Sequence, residues 1–117
     1  MNKIYYLATC STCQRIIKEL EPLAKFELQN IREEKITPQQ LDDVSKVVGS
    51  YEALFSRKSM KFRSMGLHEQ TLNEKDYRQL ILQEDTFLKR PVIIVDKKVF
   101  VGNAKKTIEE VKAVLTH

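Results

Sequence analysis

The stretch Lys3-Ile4-Tyr5-Tyr6-Leu7-Ala8-Thr9-Cys10-Ser11-Thr12-Cys13 decides how this chain is read. Residues 2–8 are largely apolar and aromatic and predict a strand. Residues 12–23 predict a helix, with Ile16, Ile17, Leu20 and Leu23 recurring on one face. The chain's only two cysteines therefore fall at a strand-to-helix junction. Unpaired backbone N–H groups and the helix dipole at such a junction favour a thiolate over a thiol. Cys10 reads as a nucleophile. Cys13, one turn further on and less exposed, reads as a resolving thiol that attacks a mixed disulfide or a Cys10 adduct. The plainer alternatives are a buried structural cysteine at position 10 and a serine-sized packing residue at position 13.

Outward from this junction, Phe26 and Leu28 alternate with polar neighbours and predict a second strand, parallel to the first through a right-handed crossover. Thr37-Pro38-Gln39-Gln40 predicts a helix start: Thr37 caps, Pro38 takes the first turn and Gln40 completes a capping box. Leu41, Val44, Val47 and Val48 form that helix's apolar stripe, and Gly49 stops it at a left-handed position. Residues 51–67 read as short helical pieces around a basic cluster, with Gly66 as a terminator. Asn73 caps a further helix that buries Tyr77, Leu80 and Ile81. The apolar run Val92-Ile93-Ile94-Val95, turned at Asp96-Lys97 into Lys98-Val99-Phe100-Val101, predicts a hairpin. A last helix carries Ile108, Val111, Val114 and Leu115. The order is β-α-β, helices, then β-β-α. This is an α/β, thioredoxin-like layout: a four-stranded mixed sheet flanked by helices, with a helical insertion.

The 117 residues suit a single domain with a core large enough to need no disulfide or metal staple. Two cysteines are too few for a secreted disulfide framework. No leader and no apolar run of about 20 residues is read in the sequence, so a cytoplasmic protein without a membrane span is expected. Metal binding is not expected, because the only histidines, His68 and His117, do not supply a ligand set with the cysteines. Net charge is +4, with basic residues grouped at Arg57, Lys58, Lys61 and Arg63, and again at Lys89 and Arg90, Lys97 and Lys98, and Lys105 and Lys106. These groups lack interleaved aromatics and form no single stripe, which argues against direct nucleic-acid binding. They read either as solvated faces or, in part, as the surroundings of an anion or thiolate. Ser11 and Thr12 read as helix-capping residues that line the cysteine site.

Several separated segments together resemble the ArsC/Spx family of small glutaredoxin-like proteins, which includes arsenate reductases and the Spx transcriptional regulators. The segments are Tyr6-Leu7-Ala8-Thr9-Cys10-Ser11-Thr12-Cys13, Asn30-Ile31-Arg32-Glu33-Glu34-Lys35-Ile36-Thr37, Phe55-Ser56-Arg57-Lys58-Ser59 with Phe62-Arg63-Ser64-Met65-Gly66-Leu67, and Leu88-Lys89-Arg90-Pro91-Val92-Ile93-Ile94-Val95 with Val101-Gly102 after it. The resemblance implies that Cys10 is the active-site cysteine, that Arg57 and Arg90 surround it or its bound oxyanion, and that Pro91 is the cis-proline facing it. It implies a small oxyanion or disulfide substrate. No bound cofactor is implied; glutathione, a glutaredoxin or a thioredoxin would be the electron donor to a monomer. The sequence departs from the reductases where Cys13 replaces a serine, Gln14 replaces an arginine, and residues 99–102 hold no arginine. These departures count against arsenate. The Cys10/Cys13 pair looks more like Spx, in which a glycine at the position of Gly49 contacts RNA polymerase. A redox-sensing regulator is thus the alternative to a thiol-dependent reductase.

Overall fold

The computed structural model describes residues 1–116, so His117 lies outside the described residues. The elements run β1 (Asn2–Tyr6), α1 (Ser11–Leu20), β2 (Glu27–Asn30), α2 (Pro38–Val48), α3 (Met60–Ser64), α4 (Glu74–Gln83), β3 (Val92–Val95), β4 (Lys98–Val101) and α5 (Lys105–Leu115), with 3-10 turns at Glu52–Leu54, Leu67–Glu69 and Asp85–Phe87. The chain forms two compact units, one of Met1–Glu34 with the chain from Arg90 on, the other of Lys35–Lys89.

The first unit holds a four-stranded sheet in the order β2-β1-β3-β4. β1 runs parallel to β2, with Lys3 opposite Glu27 and Tyr6 opposite Asn30, and antiparallel to β3, with Ile4 opposite Ile93. β3 and β4 close as the hairpin expected from Asp96-Lys97, and Asp96 adopts φ +54 in the turn. β-branched residues dominate β3, and all four of its side chains are buried, which suits a strand paired on both edges. Ile4, Ile93 and Val95 from the sheet meet Ile16, Ile17 and Leu20 of α1 and Ile108 and Val111 of α5 in one core. Each such side chain contributes roughly 1.5–3 kcal/mol on burial, which is why the two amphipathic helices lie on this face.

The structure trims and corrects the expected elements. β1 stops at Tyr6, and α1 stops at Leu20, leaving Leu23 exposed beyond the helix. In β2 the buried side chain is Gln29 (3% exposed), while Leu28 is 42% exposed. The reason is that β2 is an edge strand, and Gln29 is satisfied by donating from Nε2 to the Glu34 carbonyl at 3.0 Å. Alternation alone cannot say which face of an edge strand is covered.

The second unit is helical. The Thr37–Gln40 capping box forms as the sequence predicts, and Asn73 with Asp76 forms another at the start of α4. Gly49 ends α2 at φ +104. Val47, expected in the apolar stripe of α2, is instead 54% exposed. Phe55 and Phe87, both fully buried, stack with ring centroids 5.1 Å apart, and Tyr77 tilts against Phe55 at 4.9 Å. Asp42 ties the unit together: it accepts from Arg78 Nε at 2.8 Å and Nη2 at 3.2 Å, and from the Tyr51 hydroxyl at 2.6 Å. These donors hold its carboxyl down at about 2.

Candidate active site

Cys10 is the N-cap residue of α1. Its backbone is extended (φ −90, ψ 108), its N–H donates to the Leu7 carbonyl at 3.0 Å, and its carbonyl accepts the Gln14 N–H at 3.1 Å. Ser11 and Thr12, expected to cap the helix, are instead its first two residues. The chain leaves β1 through so short a turn that the cap position falls on Cys10. Its sulfur makes no cap hydrogen bond of ordinary geometry. The N–H groups of the first turn nevertheless act on it electrostatically.

The two thiols are free, Cys10 half-buried and Cys13 fully buried. Burial works against ionisation of Cys10, but the Cys13 N–H and thiol, the Arg90 guanidinium and the Thr12 N–H outweigh it, so the Cys10 thiol titrates below its ordinary value. Burial pushes Cys13 up to about 11, and the neighbouring Cys10 adds to the rise, while the Leu7 backbone and Arg90 oppose it. The dithiol is therefore asymmetric, with an accessible, acidic sulfur in front and a protonated, sheltered sulfur behind.

Arg90 lies ahead of β3, separated from it by Pro91, and its peptide bond to Pro91 is cis. Its charge favours the thiolate form of both cysteines. Arg57 belongs to the second unit. There its Nη2 donates to Glu52 at 2.9 Å and to the Tyr77 hydroxyl at 2.7 Å, and its guanidinium lies 5.5 Å from the Tyr77 ring centroid. His68 lies at the surface beside Glu69, 3.6 Å from its carboxylate. Among the described residues there is no group of three or more His, Cys, Asp or Glu arranged to hold a metal ion. None of their helices is long and apolar enough to cross a membrane.

Two further side chains reach the cysteine loop. Asn30, at the end of β2, accepts the Ala8 N–H, and Gln14 donates to the Ala8 carbonyl. Neither role is legible in the sequence, where Gln14 reads only as the replacement of an arginine and Asn30 as part of a segment leading into helices. The one available signal was an amide residue directly after the dithiol.

A β-α-β unit followed by β-β-α, with a dithiol where the first strand turns into the first helix, defines a protein of the thioredoxin-like class. Within that class the chain belongs to the ArsC family, whose sequence model matches residues 5–111. A comparison with curated proteins finds no match. Among solved structures the chain is similar to the YffB protein, with a TM-score of 0.84 at 19% identity over 98% of this chain and 99% of that one. It is also similar to an arsenate reductase from Vibrio cholerae (TM-score 0.81, 15% identity, covering 94% of this chain and 96% of that one). An ArsC-related protein from Brucella melitensis matches with a TM-score of 0.72 at 25% identity, over 93% and 92% of the two chains.

Proposed function

We propose that this protein is a thiol-dependent reductase in which Cys10 is the nucleophile and Cys13 the resolving thiol. The observation that carries the reading is the placement of the two sulfurs, Cys10 accessible at the N-cap of α1 and Cys13 fully buried one turn behind it. With a disulfide substrate, the Cys10 thiolate attacks one sulfur, forms a mixed disulfide and expels the other sulfur as a thiolate. Cys13 then loses its proton and attacks Cys10, releasing the second substrate thiolate and leaving a Cys10–Cys13 disulfide. Two electrons from an external thiol donor, glutathione or a glutaredoxin- or thioredoxin-type protein, restore the dithiol. Membership of the ArsC family adds arsenate as a candidate oxyanion substrate. Arg90 would hold charge beside the sulfur, and Arg57 enters the proposal through the family resemblance.

Cys10→Ser should abolish reductase turnover, and Cys13→Ser should trap the mixed disulfide, visible as a mass adduct on Cys10. Turnover that survives Cys10→Ser would overturn the assignment. Assay of arsenate with glutathione and glutaredoxin decides between oxyanion and disulfide substrates.

A second reading, a redox-sensing regulator that binds RNA polymerase, is favoured by one feature: Gly49 is exposed at the end of α2, near the exposed Val47. Pull-down with polymerase in reduced and oxidised states tests it, and no binding in either state rejects it.

A further inference from the structure

We propose that Asn30 and Gln14 are positioning residues that clamp Ala8 through its N–H and its carbonyl and so hold Cys10 in the N-cap geometry its chemistry needs. The inference rests on the reading of Cys10 as the nucleophile. Asn30 Oδ1 accepts the Ala8 N–H at 3.2 Å and the Arg32 N–H at 3.4 Å. Gln14 Nε2 donates to the Ala8 carbonyl. One side chain comes from the end of β2 and the other from the first turn of α1, so the two fix the loop against both elements that flank it.

The backbone accounting shows why a clamp is needed here. β1 ends at Tyr6, whose carbonyl accepts the Ile31 N–H at 2.9 Å, the last backbone bond in register with β2. Helical bonding begins only with the Cys10 carbonyl. Leu7, Ala8 and Thr9 lie between the ladder and the helix. The side chains of Asn30 and Gln14 take up the two polar groups of Ala8, the middle residue of this gap. Backbone groups in such a gap need partners, and side-chain amides can donate and accept where the backbone cannot. A loop free to rotate at Ala8 would swing Cys10 out of the cap position. The first-turn N–H groups would then no longer face its sulfur.

Asn30 has the larger lever of the two, because its bond to Ala8 is partly buried whereas that of Gln14 is exposed to competing water. Within this unit the titratable and charged groups acting on Cys10 are Cys13 on its own helix and Arg90 ahead of β3. Neither is altered by changing Asn30 or Gln14.

The test is the pH dependence of Cys10 alkylation by iodoacetamide, resolved by mass spectrometry, in the full chain and in Asn30→Ala and Gln14→Met. Asn30→Ala should raise the midpoint by about half a unit, a roughly threefold slower reaction below both midpoints. Gln14→Met should raise it by less. A purely structural role would lower the melting temperature and leave the midpoint of the folded protein where it was. Should Asn30→Ala fail to fold, Gln14→Met, at the surface, decides by the direction of its shift. A low midpoint in the unaltered protein that neither variant moves overturns the clamp alone. An ordinary midpoint in the unaltered protein overturns the nucleophile reading, and the clamp with it.

Discussion

Cys13 sits fully buried one turn behind the half-buried Cys10, and each sulfur drives the other's titration the opposite way. The Cys13 N–H and thiol stabilise a thiolate at Cys10, and the Cys10 charge makes Cys13 harder to ionise. Removing the proton from one sulfur thus secures the proton on the other, and the pair divides into attacker and reserve before any substrate arrives.

Alkylation should report this division directly. Cys10 should react with a midpoint below that of an ordinary cysteine, 9.0. Cys13 should stay unmodified at neutral pH in the folded protein and react once the chain is unfolded. Equal labelling of the two, or earlier labelling of Cys13, contradicts the asymmetry.

Folding stability should fall on the alkaline side because of Cys13. Its folded value is raised to about 11 against an ordinary 9.0, so its contribution is complete below pH 9 and is lost as the pH rises through 11. The loss is on the order of 3 kcal/mol. Cys10 has the opposite sign, and its contribution is already complete above its ordinary value. Urea titrations between pH 8 and 11 should therefore show a steeper decline for the unaltered protein than for Cys13→Ser. Parallel declines would count against a protonated, buried Cys13.

Arg90 should matter through charge. Arg90→Gln should move the Cys10 midpoint upward, Arg90→Lys should move it less, and the gap between the two should shrink as salt is added. An Arg90→Gln midpoint unchanged at low ionic strength would remove Arg90 from the site.

The Asp42–Arg78–Tyr51 group should give the second unit an acid-sensitive anchor. The Asp42 carboxyl lies at about 2 against an ordinary 3.8, so its contribution is present above pH 3.8 and lost as the pH falls through 2. Asp42→Asn should be less stable than the unaltered protein at pH 6, and the two should converge near pH 2. A stability gap that persists undiminished at pH 2 would show that the charge is not what anchors the unit.

Gly49→Ala should cost about 1 kcal/mol, because φ +104 is a conformation that an L side chain rarely adopts. A Cβ there would meet nothing within 4 Å, so the cost is backbone strain alone. Gly49→Asn should cost less, since asparagine tolerates left-handed backbone better. Thermal melts of the three proteins check the order.

Much of the fold was legible because its signals are local. The Thr37–Gln40 capping box, the Asn73 cap, the left-handed stop at Gly49 and the turn at Asp96 each depend on a few neighbouring residues. The apolar periods of α1 and α5 named the side chains that meet in the core, apart from Leu23, which lies exposed past the end of α1. What failed was the covered face of β2, where Gln29 and not Leu28 is buried, and the exposure of Val47. Both depend on which neighbours cover an element, and no pattern within the element encodes that.

For the site, the sequence by itself determined the dithiol, its placement between a strand and a helix, and the arginine-proline pair ahead of the buried strand. These follow from residue type and short spacing. Only the tertiary structure decided that Cys10 rather than Ser11 or Thr12 occupies the cap, that Cys13 is sealed from water, that the charge of Arg90 falls on both sulfurs, and that Asn30 reaches back to Ala8. Acidity and burial are set by what lies beside a group in space, and here those neighbours come from β2, from α1 and from the approach to β3, segments far apart along the chain.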